Sequence, residues 1–167
     1  MIFSCTKKVR DKIGKHRDLS DIKDNIHLYN WYLDLINLER KNYVLCTHSL
    51  TLFSFFFYAG TKKELANIDR LFAAELKEQI TRNVTSSESA LALLLAEAEN
   101  VTFGTTNSRS VLGSMNDFKH QINVQIQHKG PLSDTKDLII HLMNQCPMGG
   151  INHMTPHARM TQELRKI

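Results

Sequence analysis

The stretch that decides the fold runs Trp31-Tyr-Leu-Asp-Leu-Ile-Asn-Leu38, Tyr43-Val-Leu-Cys-Thr47 and Thr51-Leu-Phe-Ser-Phe-Phe-Phe-Tyr58. Its apolar residues recur with a period of two, the spacing that sends alternate side chains of a strand to opposite faces. Trp31, Leu33 and Leu35 share one face, and Tyr32, Asp34, Ile36 and Leu38 share the other. Lys41-Asn42 reads as the first turn, so the three segments form a meander. Nine of the thirteen aromatic residues fall between Tyr29 and Tyr58, which concentrates the core here. The run Phe53-Ser-Phe-Phe-Phe57 is apolar on both faces and predicts a central strand covered on both sides.

Upstream, Met1 to Thr6 reads as a short strand, followed by a helix to about Ile13 and a stop at Gly14. Residues 15–28 are polar and read as a loop with one helical turn. Downstream, Gly60 ends the sheet segment and Thr61-Lys-Lys-Glu64 has the form of a capping box. The helix it opens carries Leu65, Ile68, Phe72, Leu76 and Ile80 at helical spacing. A second box, Thr85-Ser-Ser-Glu88, opens an Ala/Leu-rich helix through Ala98, apolar nearly all round and therefore expected to be buried. Val101-Thr-Phe103 returns to strand, and Gly104-Thr-Thr-Asn107 is a turn with Asn107 or Ser108 as N-cap. Val111, Met115, Phe118, Ile122 and Ile126 mark one face of a long helix that stops near Gly130-Pro131. Asp134 to Gln145 is a further helix, Pro147 to Gly150 a loop, and Thr155-Pro156 caps a last helix. The pattern predicts one α+β globular domain over residues 1–167, a small mixed or antiparallel sheet packed by four to six helices.

Composition narrows the class. In 167 residues, 42% are hydrophobic and 23% charged, the balance of a globular chain. The longest apolar stretch, around Leu50 to Gly60, falls short of the ~20 residues a membrane span needs. No apolar run follows Lys7 and Lys8, so the start does not read as a secretory signal, and a cytoplasmic setting is expected. Cys5, Cys46 and Cys146 lie far apart with no C-x-x-C pair, which suits a reducing compartment. His153 and His157 are four apart, but Pro156 between them breaks the shared helical face, and no metal or cofactor is expected.

The net charge of +4 is unevenly placed. Residues 1–17 hold six basic side chains, Lys7, Lys8, Arg10, Lys12, Lys15 and Arg17, against one acid, Asp11. Such a patch attracts phosphates or an acidic partner. The competing reading is a solvated first helix, since no aromatic residues interleave for base stacking. The second feature is Gly104-Thr-Thr-Asn-Ser-Arg-Ser-Val-Leu-Gly-Ser-Met-Asn-Asp-Phe118, a strand end, polar turn and helix start. A helix N-terminus favours an anion, and Arg109 sits against that dipole where an acid is preferred. Arg109, Gly113, Asn116 and His120 fall on one polar face opposite the apolar stripe, a face that equally describes an ordinary solvated helix. Other chemistry is weaker. Cys46 and His48 share a strand face but stand about 7 Å apart, too far for thiol activation, so a buried cysteine and a strand-end histidine are the simpler account. Ser108, Ser110 and Ser114 lack a Gly-x-Ser-x-Gly elbow, no glycine-rich nucleotide loop occurs, and Glu97 and Glu99 read as surface residues.

Thr106-Asn-Ser-Arg-Ser-Val-Leu-Gly-Ser-Met-Asn-Asp-Phe118 resembles the hallmark of a family of small bacterial proteins known only as a domain of unknown function. Cys5-Thr-Lys-Lys8, Trp31…Asn37-x-x-Arg40 and Thr51-Leu-Phe-Ser54 look like its other recurrent pieces, in the same order. The resemblance spans most of residues 1–120 and implies no activity. If the family shares a site, the matching polar positions are Asn37, Arg40, Thr51, Asn107, Ser108, Arg109, Ser110, Asn116 and Asp117. Three function classes follow. The first is a non-catalytic binding or regulatory module for a protein or nucleic-acid partner, in the phage, plasmid or defence settings such small families keep. The second is a small-anion or phosphate-ligand protein or enzyme in which Arg40 joins Arg109, and the third a structural subunit of an assembly.

Overall fold

The structure is a computed structural model and describes residues 1–13, the backbone of 19–20, and 27–167. From the N-terminus come β1 (Ile2–Cys5), α1 (Lys7–Ile13), β2 (Leu19–Ser20), β3 (Asn30–Leu38), β4 (Lys41–His48) and β5 (Ser54–Tyr58). Then follow α2 (Lys62–Ala66), α3 (Ile68–Asn83), α4 (Glu88–Glu97) and β6 (Thr102–Thr105). The C-terminal part is helical: α5 (Arg109–Lys129), α6 (Leu132–Asn144), a 3-10 turn at Gly149–Ile151, and α7 (Pro156–Leu164). The described residues thus hold seven α-helices, more than the four to six expected.

The sheet is mixed and ordered β2-β6-β1-β3-β4-β5. β3, β4 and β5 form the antiparallel meander, while β1 runs parallel to both β3 and β6, and β2 parallel to β6. The turn between β3 and β4 falls at Glu39-Arg40, not at Lys41-Asn42. Both residues are left-handed (φ 48° and 63°), the conformation of a tight two-residue hairpin that matches strand twist. The third strand of the meander begins at Ser54. Thr51 and Leu52 belong to the turn, with Leu52 at φ 58° and His48 N–H donating to Phe53 C=O at 2.9 Å.

β5 is an edge strand rather than a central one. Phe55, Phe56 and Phe57 are buried on both faces because α3 and α6 both pack on it. The two helices are tied together beside that edge by Lys136–Glu75 at 2.7 Å and by Arg82–Asp137. Asn144 of α6 accepts from Ser54 N–H at 2.8 Å and donates to Ser54 C=O at 2.6 Å, so it closes the start of the edge against further pairing. On one sheet face Phe72 of α3 meets Phe3, Trp31 and Phe55, with ring centroids 4.6, 5.2 and 5.4 Å away. Trp31, Phe53, Phe55 and Phe57, the expected core, are all buried. The other face carries Tyr32 and Asp34 and is reached by α5.

Four helix readings change. The Thr61–Glu64 capping box is formed, but Asn67 (φ −110°, ψ 31°) ends α2 and starts α3, dividing the expected single helix. The second helix start is capped by Ser87, whose side chain accepts from Ala90 N–H, in place of a box on Thr85. α4 is also not buried: only Ala90 and Leu94 are, and Leu93 is half exposed. The sixth helix spans Leu132–Asn144 instead of 134–145. The loop reading of residues 15–28 lies mostly outside the described residues, but Leu19–Ser20 pairs with β6.

Candidate functional site

The end of β6 and the start of α5 are built around Tyr32. Its hydroxyl donates to Asn107 Oδ1 at 2.9 Å and accepts from Ser108 N–H at 3.1 Å. Ser108 is the N-cap of α5, its Oγ accepting from Val111 N–H at 3.4 Å. A ring on the central strand therefore holds the polar turn at a fixed height on the sheet. Arg109 follows it, exposed and without an ion pair, in a first turn that contains no acid. Ser110 C=O accepts from Ser114 Oγ at 3.2 Å, and both hydroxyls border the space beside Gly150, where a Cβ would touch Ser110 Oγ at 3.4 Å.

One turn further along α5 lies a cluster the sequence reading missed. Asp34 is buried and accepts from Thr6 Oγ1 at 2.6 Å and from Leu35 N–H at 2.8 Å, and it pairs with Lys119. Lys119 Nζ also donates to Asn116 Oδ1 at 3.3 Å. The available signal was an acid among inward-facing residues of a buried strand, a position that requires a partner. Asn116 thus braces the lysine, while Asp117 faces solvent.

Arg40 does not join Arg109. It lies in the β3–β4 turn, where the neighbouring Glu39 Oε1 accepts from Leu132 N–H at 2.9 Å, just past the far end of α5. A helix of 21 residues is about 30 Å long, so the two guanidinium groups stand at opposite ends of it. Asn37 lies at Arg40's end as well. Across the hairpin it donates to Asn42 Oδ1 at 3.4 Å, and both asparagines line a groove of ≈ 390 Å³ with Lys8, Asp11 and Lys12 of α1. The groove exists because β1 pairs only with Asn30–Leu33, while β3 runs on to Leu38, and α1 fills the space beside the overhang. Leu35 and Ile36 supply its apolar floor.

The structure therefore divides the candidate residues in two. Asn107, Ser108, Arg109 and Ser110 surround the start of α5, and Asn37 joins the basic helix. On α1, Val9 points into the core while Lys7, Lys8 and Lys12 are exposed and Arg10 is half-buried. Among the described residues none of these four basic groups is in an ion pair. Lys15 and Arg17 lie outside the described residues.

The profile of the family described as "Domain of unknown function (DUF6933)" matches residues 2–159, nearly the whole chain. The chain belongs to this family. No curated protein matches it. In this DUF6933 member the match includes both the α1 groove and the Tyr32-anchored turn. Cys46 is fully buried, and burial first, then Cys5 and Glu75, push its thiol well above the ordinary value, the reverse of an activated nucleophile. His153 stands in the turn before α7, with φ 58°, and His157 within that helix, so the pair shares no helical face. Among the described residues no group of three His, Cys, Asp or Glu side chains is placed to hold a metal, and no helix is long and apolar enough to cross a membrane.

Proposed function

We propose that this DUF6933 protein is a non-catalytic binding module whose recognition surface for nucleic acid is α1 and the groove beside it. The observation that carries the reading is that Lys8 and Lys12, one helical turn apart, line the same groove as Asn37 and Asn42, two lysines against the single acid Asp11, with neither lysine in an ion pair among the described residues. Lysines on such a surface meet phosphates as point charges, and the two side-chain amides offer donors and acceptors to sugar or base edges. The arrangement supports sequence-independent affinity dominated by counterion release. Binding to a duplex and to a single strand is expected to fall steeply as salt is raised. Lys8→Gln with Lys12→Gln is expected to reduce the magnitude of the log–log salt slope by roughly 2, about one for each phosphate that is no longer neutralised. Fluorescence anisotropy measures both. No binding at low salt, or a slope unchanged in the double variant, would refute this surface.

A second reading rests on Arg109. Its charge lies against the positive end of α5 in a first turn that contains no acid, and an anion seated on the turn would relieve that conflict. Sulfate is expected to raise the thermal midpoint of the wild-type protein more than that of Arg109→Ala, because binding to the folded state adds to the general exclusion effect both proteins share. Equal gains would leave Arg109 as an ordinary surface arginine.

A further inference from the structure

We propose that α4 and the groove next to it form the surface on which a second copy of this chain docks. Although α4 is built from Ala and Leu, Leu93 keeps 50% of its surface exposed. At 100° per residue, Leu93 and Leu95 flank a solvent-facing ridge made by Ala92 and Ala96. On the Leu95 flank a groove of ≈ 440 Å³ opens toward Ala73 and Ala74 of α3. The alanine ridge lets another helix approach closely, and Leu93 is a projecting apolar group that such a groove can take. Knob and groove on two flanks of one helix suit a two-fold contact, in which each copy gives the other what it receives.

Charge selects a second copy as the occupant. Between Val84 and Ser108 the chain holds Glu88, Glu97 and Glu99 and no lysine or arginine. The α3 wall of the groove presents Arg70 and Lys77, both exposed, against one half-buried acid, Asp69. Among the described residues none of Arg70, Lys77, Glu88 and Glu99 is in an ion pair. An apolar centre bordered by unpaired charges of both signs complements itself under two-fold rotation, whereas a uniformly acidic or basic partner meets like charge on one side.

Sedimentation velocity of the full chain over a concentration series tests this. A reversible dimer is expected. Leu93→Glu weakens it about tenfold or more, because an apolar contact must then bury an unpaired charge. Leu138→Glu, at a comparably exposed leucine of α6, leaves it unchanged. A second arm uses charge alone. Arg70→Glu with Lys77→Glu, and separately Glu88→Lys with Glu99→Lys, are each expected to remain monomeric, and an equimolar mixture of the two to form the heterodimer. Circular dichroism checks that every variant is folded. A wild-type chain that stays monomeric to its solubility limit overturns the proposal. So does a dimer indifferent to Leu93→Glu, or charge variants that fail to associate when mixed.

Discussion

Truncating Phe55 to alanine is expected to destabilise the protein by about 3–5 kcal/mol, the range for removing a fully buried aromatic side chain. Phe55 has no exposed surface, and its ring lies 5.2 Å from Trp31 and 5.4 Å from Phe72, centroid to centroid. Those neighbours cannot close the gap. Trp31 is held by the sheet and packed at a tilt against His48, 4.8 Å between ring centroids, and Phe72 also packs on Phe3. Much of the cavity should therefore persist, and the tilted ring packing, worth about 0.5–1.5 kcal/mol beyond burial, disappears with the side chain. Tyr58→Ala at the end of the same strand is the comparison, since Tyr58 is 43% exposed and should cost much less. Urea titration of the three proteins measures the difference. A loss below about 1 kcal/mol for Phe55→Ala would mean that the meander does not carry the core.

Much of this core is legible in the sequence because strand period and aromatic clustering are local properties. What surrounds a strand is not local. Phe53 to Phe57 read as central because both faces are apolar, and an edge strand covered by two helices has the same pattern. What distinguishes the two cases is the sheet order, in which β5 pairs with β4 alone, and the ties between α3 and α6 beyond it, residues 75 with 136 and 82 with 137. The Glu39-Arg40 turn lacks the Asn-Gly signature of its conformation, so Lys41-Asn42 drew the reading instead. The break at Asn67 leaves the apolar spacing of Leu65, Ile68 and Phe72 intact and gives no periodicity signal. Site residues follow the same division. Ser108 is visible as a cap because capping is a matter of a few neighbouring residues. That Tyr32 holds it, or that Arg40 stands a helix length from Arg109, depends on how α5 lies along β3. Asn37 and Lys8 are separately visible in the sequence, and the overhang of β3 past β1 brings them to one groove.

Acid should weaken the fold through His48. The imidazole is fully buried at the β4–β5 turn, and burial is the main reason its pKa is lowered to about 4, with nearby His27 adding to the effect. The Leu28 carbonyl and Glu163 of α7 oppose the shift without cancelling it. The hydrogen bonds explain why the neutral ring fits. Nε2 lies 2.7 Å from Leu28 C=O, which can only accept, so the proton sits on Nε2. Nδ1 is then an acceptor, 2.8 Å from Thr51 Oγ1 and 3.3 Å from Thr51 N–H, so a second ring proton would displace the bond from Thr51 N–H and force the Thr51 hydroxyl to turn its own proton away. An unfolded histidine protonates near 6.5, so between that pH and about 4 the unfolded chain binds a proton that the native state refuses. Stability from this group is therefore complete above pH 6.5 and is lost as the pH falls toward 4. At about 1.4 kcal/mol for each pH unit of displacement, the loss amounts to about 3 kcal/mol. Chemical denaturation at intervals from pH 7 to pH 4 reads it, with His48→Gln as the reference that retains hydrogen-bonding groups but does not titrate. The wild-type curve should fall away from the variant's over that window, whatever constant offset the substitution introduces. Parallel curves would mean that His48 accepts its second proton in the folded state.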